Sequence, residues 1–278
     1  MAGRLRVLDG RDAPAILALL DEDPVETCFV ASRVRSGMDP WRLGGEVWGF
    51  EHRGRLLSVL YAGANLVPVR STPESRAAFA ERARRTGRRS SSLVGPAEEV
   101  LDLWAHLEPA WGPAREVRAC QPLLAIDHEA PVPADPLVRR VVESELDALL
   151  PACIAMFTEE VGVSPLMGGA GPAYRSRILE IVRDGRAFAR FDDSGAVVFK
   201  AEVGAATPQA CQIQGVWVDP ARRGEGLSSP GMAAVVDLAR TLIAPVVSLY
   251  VNDYNEPARR AYARTGFQQV GTLATVLF

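Results

Sequence analysis

The chain has 278 residues, 48% of them hydrophobic and 23% charged, the proportions of an ordinary globular protein long enough for one large or two modest domains. A net charge of −3 argues against a nucleic-acid partner, and no apolar run approaches the ~18 residues of a membrane span. Cys28, Cys120, Cys153 and Cys211 are scattered without a C-x-x-C pair and His52, His106 and His128 stand alone, so no metal is expected and the cysteines read as small core residues in a reducing compartment. The first residues lack the apolar core of a signal peptide, and a cytoplasmic location is the default expectation.

In chain order, a strand at 5–8 leads into a helix around 12–21. Residues 46–51 and 56–62 flank His52-Arg53-Gly54-Arg55, a Gly-bearing turn suited to a hairpin. The stretch from Asn65 to Pro73 has no glycine to shape a nest of N–H groups. The basic run from Arg82 to Arg89 reads as a solvated helix end and loop. A strand at 91–94 and a helix at 97–107 follow. Pro131, Pro133 and Pro136 then resist helix and sheet alike and mark a boundary, giving domains at 1–130 and 137–278.

The second half repeats the pattern. A strand at 137–142 precedes a helix starting near Ser144, with Asp147 three residues on as a capping pair. Residues 187–191 and 196–203 flank Asp192-Asp193-Ser194-Gly195 as a second hairpin. The reading is a duplicated α+β unit. The alternative is a single domain whose halves merely share an alternation.

Two motifs carry chemistry. The first follows a strand at 212–218. Asp219-Pro220 stops that strand, and Arg223-Gly224-Glu225-Gly226-Leu227-Ser228 leads into a helix at about 227–242. Glycines let successive N–H groups point into one concavity, and the helix adds its unpaired first-turn N–H groups and positive dipole end. Pro230 fits the first turn, and Ala233, Val236, Leu238 and Leu242 supply a buried face. The spacing is neither a Walker A loop nor a full G-x-G-x-x-G, and by itself also fits a plain strand–helix connection.

The second motif follows a buried strand at 246–251. Asn255 reads as an N-cap, Glu256 and Pro257 suit a first turn, and Gly266 suits a C-terminal cap. Ala258, Ala261 and Tyr262 share one helical face.

Together these motifs resemble the GNAT N-acetyltransferase superfamily. The turn resembles its Arg/Gln-x-x-Gly-x-Gly/Ala loop at Arg223 and Gly226, with Ser228 where Gly or Ala is usual. Residues 255–267 match Asn-x-x-Ala-x-x-x-Tyr-x-x-x-Gly-Phe at each defined position. The resemblance implies tandem GNAT-like folds, each a mixed, mostly antiparallel twisted sheet flanked by helices, with a degenerate N-terminal copy. Two-part GNAT proteins of actinobacteria are similar. It implies acetyl-CoA as co-substrate, its pyrophosphate held by N–H groups of about Gly224, Glu225, Gly226, Leu227, Ser228 and Ser229. The pantetheine arm would lie along Val216, Trp217 and Val218, with Asn255 touching it. Tyr262 would be the general acid for the departing thiolate and the Val218 N–H the oxyanion donor.

One departure stands out. Relatives place a glutamate as general base where this chain has Gln212, with Gln214 on the same face. A neutral amide is no base, so either a water held by these amides relays the proton or a carboxylate serves, with Glu202, Glu159 and Glu160 as candidates. The expected activity is acyl transfer from acetyl-CoA to a primary amine, whether small molecule, peptide N-terminus or lysine, without an acyl-enzyme. The alternative is a CoA-binding sensor with little or no catalysis. A homodimer is left open.

Overall fold

The computed structural model describes residues 3–278. In chain order it forms β1 (Arg4–Leu8), α1 (Ala13–Leu20), α2 (Cys28–Ser36), α3 (Pro40–Leu43), β2 (Gly45–His52), β3 (Arg55–Gly63), β4 (Asn65–Val69), α4 (Pro73–Thr86), β5 (Ser92–Pro96), α5 (Ala97–Trp111) and β6 (Glu116–Ile126). The pattern then recurs as β7 (Arg139–Arg140), α6 (Leu146–Val161), α7 (Gly171–Arg183), β8 (Ala187–Phe191), β9 (Val197–Ala206), β10 (Ala210–Val218), α8 (Ser228–Leu242), β11 (Val246–Tyr250), α9 (Glu256–Thr265) and β12 (Gln268–Leu277).

These elements make two compact units. One runs to Leu124 and takes in Tyr250–Tyr254 and Gln269–Phe278; the other comprises Ala125–Leu249 and Asn255–Gln268. A cut at the proline-rich segment therefore does not reproduce the division in space, because the last strand lies in the first unit. There β12 runs antiparallel to β5, from Leu273↔Pro96 to Leu277↔Ser92. The Thr275 hydroxyl donates to the buried Gln121 side chain at 2.6 Å, which in turn donates to Asn252 at 2.8 Å.

The first unit orders its strands β1-β2-β3-β4-β5-β12-β6. The β2–β3 hairpin turns through Arg53 and Gly54, both at positive φ, as a tight hairpin requires. One sheet face packs Val47, Val59, Tyr61 and Val67 under α1 and α2; the other packs Trp48, Phe50, Leu60 and Leu93 under α4 and α5. The basic run lies on the last turn of α4 and beyond, with Arg82 over the Trp48 ring and Arg85 paired to Glu81, so it is a solvated helix end.

The second unit orders its strands β11-β10-β9-β8-β7. Side chains of β9 alternate between faces. Phe199 lies against Gly231 of α8, while Lys200 and Glu202 lie on the side of α6. Local expectations are corrected in four places. Asp135 turns the chain by accepting from the Leu137 N–H at 2.9 Å, which shortens the predicted strand to Arg139–Arg140. The Ser144–Asp147 capping pair does not form: Glu145 stands at the N-cap of α6 with no side-chain cap, and its carboxylate instead accepts the Val142 N–H at 3.0 Å. Leu242 is 48% exposed, beyond the buried face of α8, and Cys120 is exposed while the other three cysteines are buried.

Candidate functional site

Strands β10 and β11 run parallel and pair only from Ala210↔Val246 to Gln212↔Ser248. Beyond Gln212 the β10 edge facing β11 is unpaired, while its other edge stays with β9 through Trp217↔Lys200 and Val218↔Phe199. Gly215, at φ +61°, sits in a register shift between Gln214 and Trp217. The strand bulges there, as only a residue at ease with positive φ allows. The Asp219 N–H donates to Val198 of β9 at 3.0 Å. By strand alternation the N–H and carbonyl of Val218 point the other way, into the opening. The carbonyl accepts from Arg223 Nε at 3.2 Å.

The turn after β10 is built locally. The Asp219 side chain accepts the Ala221 N–H at 3.0 Å, and Arg222 forks onto the Glu225 carboxylate at 2.7 and 2.8 Å. Gly224 (φ +88°) and Gly226 (φ +81°) take conformations that other residues resist. Among the described residues, the N–H groups of Gly224, Gly226, Leu227 and Ser228 donate to no protein acceptor. They lie along the turn that leads into α8 and at the start of that helix, where the dipole adds positive potential. Pro230 lies in that first turn as expected. The predicted residues divide here. Glu225 braces the turn through its side chain, and the buried Ser229 hydroxyl faces α9, donating to the Ala261 carbonyl and accepting from Arg264.

On α9, the Asn255 side chain caps the helix by accepting the Ala258 N–H at 3.3 Å, and Gly266 closes it in the left-handed region. A Cβ on Gly266 would lie 2.8 Å from Pro131. Tyr262 is buried against Phe267, rings edge-on at 5.9 Å. Burial, with the Glu160 carboxylate adding to it, pushes its phenol well above the ordinary value, so it remains a proton donor at neutral pH.

The carboxylates offered by the sequence occupy different places. Glu159 is engaged by Arg223 at 2.6 Å and by the Trp217 indole at 3.4 Å. Glu160 is exposed and acts electrostatically on Tyr262. Glu202 is buried: one oxygen accepts from Gln214 at 2.8 Å, the other from Lys200 at 3.4 Å. Gln212 and Gln214 therefore separate, with only Gln214 bound to that carboxylate. Sequence reasoning missed Lys200, which is 1% exposed; a lone lysine in an apolar strand was the available signal.

The equivalent position in the first unit is the connection from β4 to α4, for β4 and β5 are likewise parallel. There the Ser71 N–H and hydroxyl donate to Glu99 at 2.9 and 2.6 Å, and Thr72 with Ser75 closes the start of α4 as a capping box. The protein's own carboxylate takes up the donors that a phosphate would need.

The family model of the Acetyltransferase (GNAT) family matches residues 172–267, and a Domain of unknown function (DUF4081) matches residues 45–149. No curated protein matches the chain. Among solved structures, a GCN5-related N-acetyltransferase from Sphaerobacter thermophilus has a TM-score of 0.66 at 18% identity, covering 99% of this chain and 94% of that one. An acetyltransferase from the GNAT family from Colwellia psychrerythraea gives 0.59 at 11%, covering 99% of both chains. A tandem GNAT protein from the clavulanic acid biosynthesis pathway gives 0.57 at 16%, covering 98% of both. These likenesses carry the fold. Residues 172–267 are thus matched by the GNAT acetyltransferase family model, in a chain with the fold of tandem GNAT proteins whose residues 45–149 match DUF4081.

Proposed function

We propose that the second unit transfers an acetyl group from acetyl-CoA to a primary amine by direct attack. The observation that carries the reading is the unpaired β10 edge ending in the Val218 N–H and continuing into four uncommitted N–H groups at the start of α8. A pantetheine arm pairs with such an edge as an added strand, and a diphosphate suits such a helix start.

The amine nitrogen attacks the thioester carbonyl carbon, forming the C–N bond. The Val218 N–H stabilises the oxyanion, and the C–S bond then breaks. Tyr262 gives its proton to the departing thiolate. The proton lost by the amine goes to Glu202, directly or through a water beside Gln214. Glu202 is preferred over Glu159 because it is buried beside the Gly215 bulge while Glu159 is about half exposed, and over Gln212 because an amide cannot take a proton. Arg223 adds charge for the diphosphate once it leaves Glu159.

The test is thiol release from acetyl-CoA against a panel of small amines, peptide N-termini and lysine peptides, with CoA affinity measured in parallel. Turnover on at least one acceptor, and weakened CoA binding in Arg223→Ala, are expected. Tight CoA binding without turnover on any acceptor would instead make the unit a sensor of CoA.

A further inference from the structure

The interior of the second unit holds a charged pair that packing does not explain. Lys200 and Glu202 are two apart on β9, on one face, and are 1% and 5% exposed. Taking two charges out of water costs several kcal/mol per ion, and apolar replacements of such pairs are often neutral or stabilising. Stability is therefore a poor reason for this pair to be here.

The surrounding sequence gives way to it. A Cβ on Gly215 would lie 3.1 Å from Lys200 Nζ and 3.3 Å from Glu202 Cδ; a Cβ on Gly204 would lie 2.2 Å from Gln214 Oε1. Two strand positions without side chains thus admit Lys200, Glu202 and Gln214 as one layer. Gly215 is also the bulge beside the unpaired edge of β10, so the layer lies against the backbone proposed to carry the thioester.

We infer that Lys200 is a positioning residue that keeps the Glu202 carboxylate ionised and fixed so that it can take the proton of the amine. The inference rests on the proposed acetyl transfer. A carboxyl buried among apolar neighbours holds its own proton and is no base. An adjacent ammonium reverses that preference, and Gln214 fixes one oxygen from the other side.

The titratable groups around Lys200 are few. Glu202 lies on its own strand. From α6, Cys153 offers its sulfur to the Lys200 ammonium, and from α7 the Tyr174 hydroxyl donates to the Cys153 carbonyl at 3.0 Å. From β10 comes the neutral Gln214. Burial works to lower the Lys200 ammonium, but Glu202 and Cys153 outweigh it and hold it above its ordinary value. Burial raises both the Cys153 thiol and the Tyr174 phenol, so these stay neutral around pH 7.

The experiment is the pH profile of kcat/KM for acetyl transfer by the full chain and its variants. Glu202→Gln should lower kcat about 100-fold or more. Lys200→Met should move the acidic limb upward by about one pH unit or more, with activity recovered at alkaline pH. Lys200→Arg should restore the wild-type limb. An unchanged limb in Lys200→Met, where Glu202→Gln has lost activity, overturns the role of Lys200 and leaves acetyl transfer standing. Full activity in Glu202→Gln removes Glu202 as base, and the inference with it. If Lys200→Met does not fold, Lys200→Arg decides alone: a preserved limb supports the inference and a displaced limb overturns it. Absence of turnover in every variant and in the wild type, with CoA bound, fails the proposed function itself.

Discussion

The Arg223 guanidinium donates to the Glu159 carboxylate at 2.6 Å, joining the turn before α8 to the last turn of α6 across 64 residues of sequence. Both side chains are about half exposed, so the pair contributes little to stability. It does occupy the cation that a diphosphate would use. Glu159→Gln should therefore tighten CoA binding by about 2–5-fold, the yield of removing a weak competitor. Calorimetry of CoA binding checks this, and an unchanged affinity would show that the two do not compete.

Tyr262→Phe removes the hydroxyl and keeps the ring on Phe267. We expect kcat to fall about 10–100-fold with CoA affinity and thermal midpoint nearly unchanged. The phenol is held above its ordinary value by burial and then by Glu160. Its acid form consequently persists through the alkaline range, and no loss of kcat through Tyr262 ionisation is expected below about pH 10. A wild-type rate in the variant would remove Tyr262 from the mechanism.

The first unit should not hold CoA. Glu99 takes both donors of Ser71, and α4 is closed by Thr72 and Ser75. Equilibrium dialysis should give one equivalent of CoA per chain, lost or weakened in Arg223→Ala. A second equivalent insensitive to that substitution would place a site in the first unit.

Glu26 gives the first unit a pH dependence. Burial, then the nearby Asp23 and Glu99 carboxylates, push it up to about 7 from 4.5. The folded state thus holds a proton that the unfolded chain releases. The associated stability is full below about pH 4.5 and is lost as pH rises through 7. Glu26→Gln, neutral at every pH, should lose less in thermal midpoint between pH 5 and pH 8 than the wild type does. Equal losses would show that Glu26 is not the titrating group.

How much was legible depends on distance along the chain. The Asn255 cap, the Gly266 stop, the glycines at positive φ in the turn and the hairpin at Arg53-Gly54 are settled by neighbours within four residues, so residue type and spacing sufficed. The sequence also showed the recurrence of the α+β pattern and the motif residues that bracket the opening between β10 and β11.

Ser144 shows how a local rule fails: α6 begins two residues later at Leu146, behind a Glu145 whose carboxylate is held by Arg139 and the Val142 N–H, and no side chain caps it. The larger matters were decided by pairings over long separations. Glu159 reached Arg223, Glu99 took the Ser71 N–H and hydroxyl, Lys200 was buried against Glu202 beside a bulge made by Gly215, and β12 joined β5 in the first unit. Sequence by itself determined the turns, caps and alternation, because backbone sterics and short-range hydrogen bonds act within a few residues. Only the tertiary structure decided which charges face one another and which strand edge stays free, because burial and partnership arise when distant segments pack.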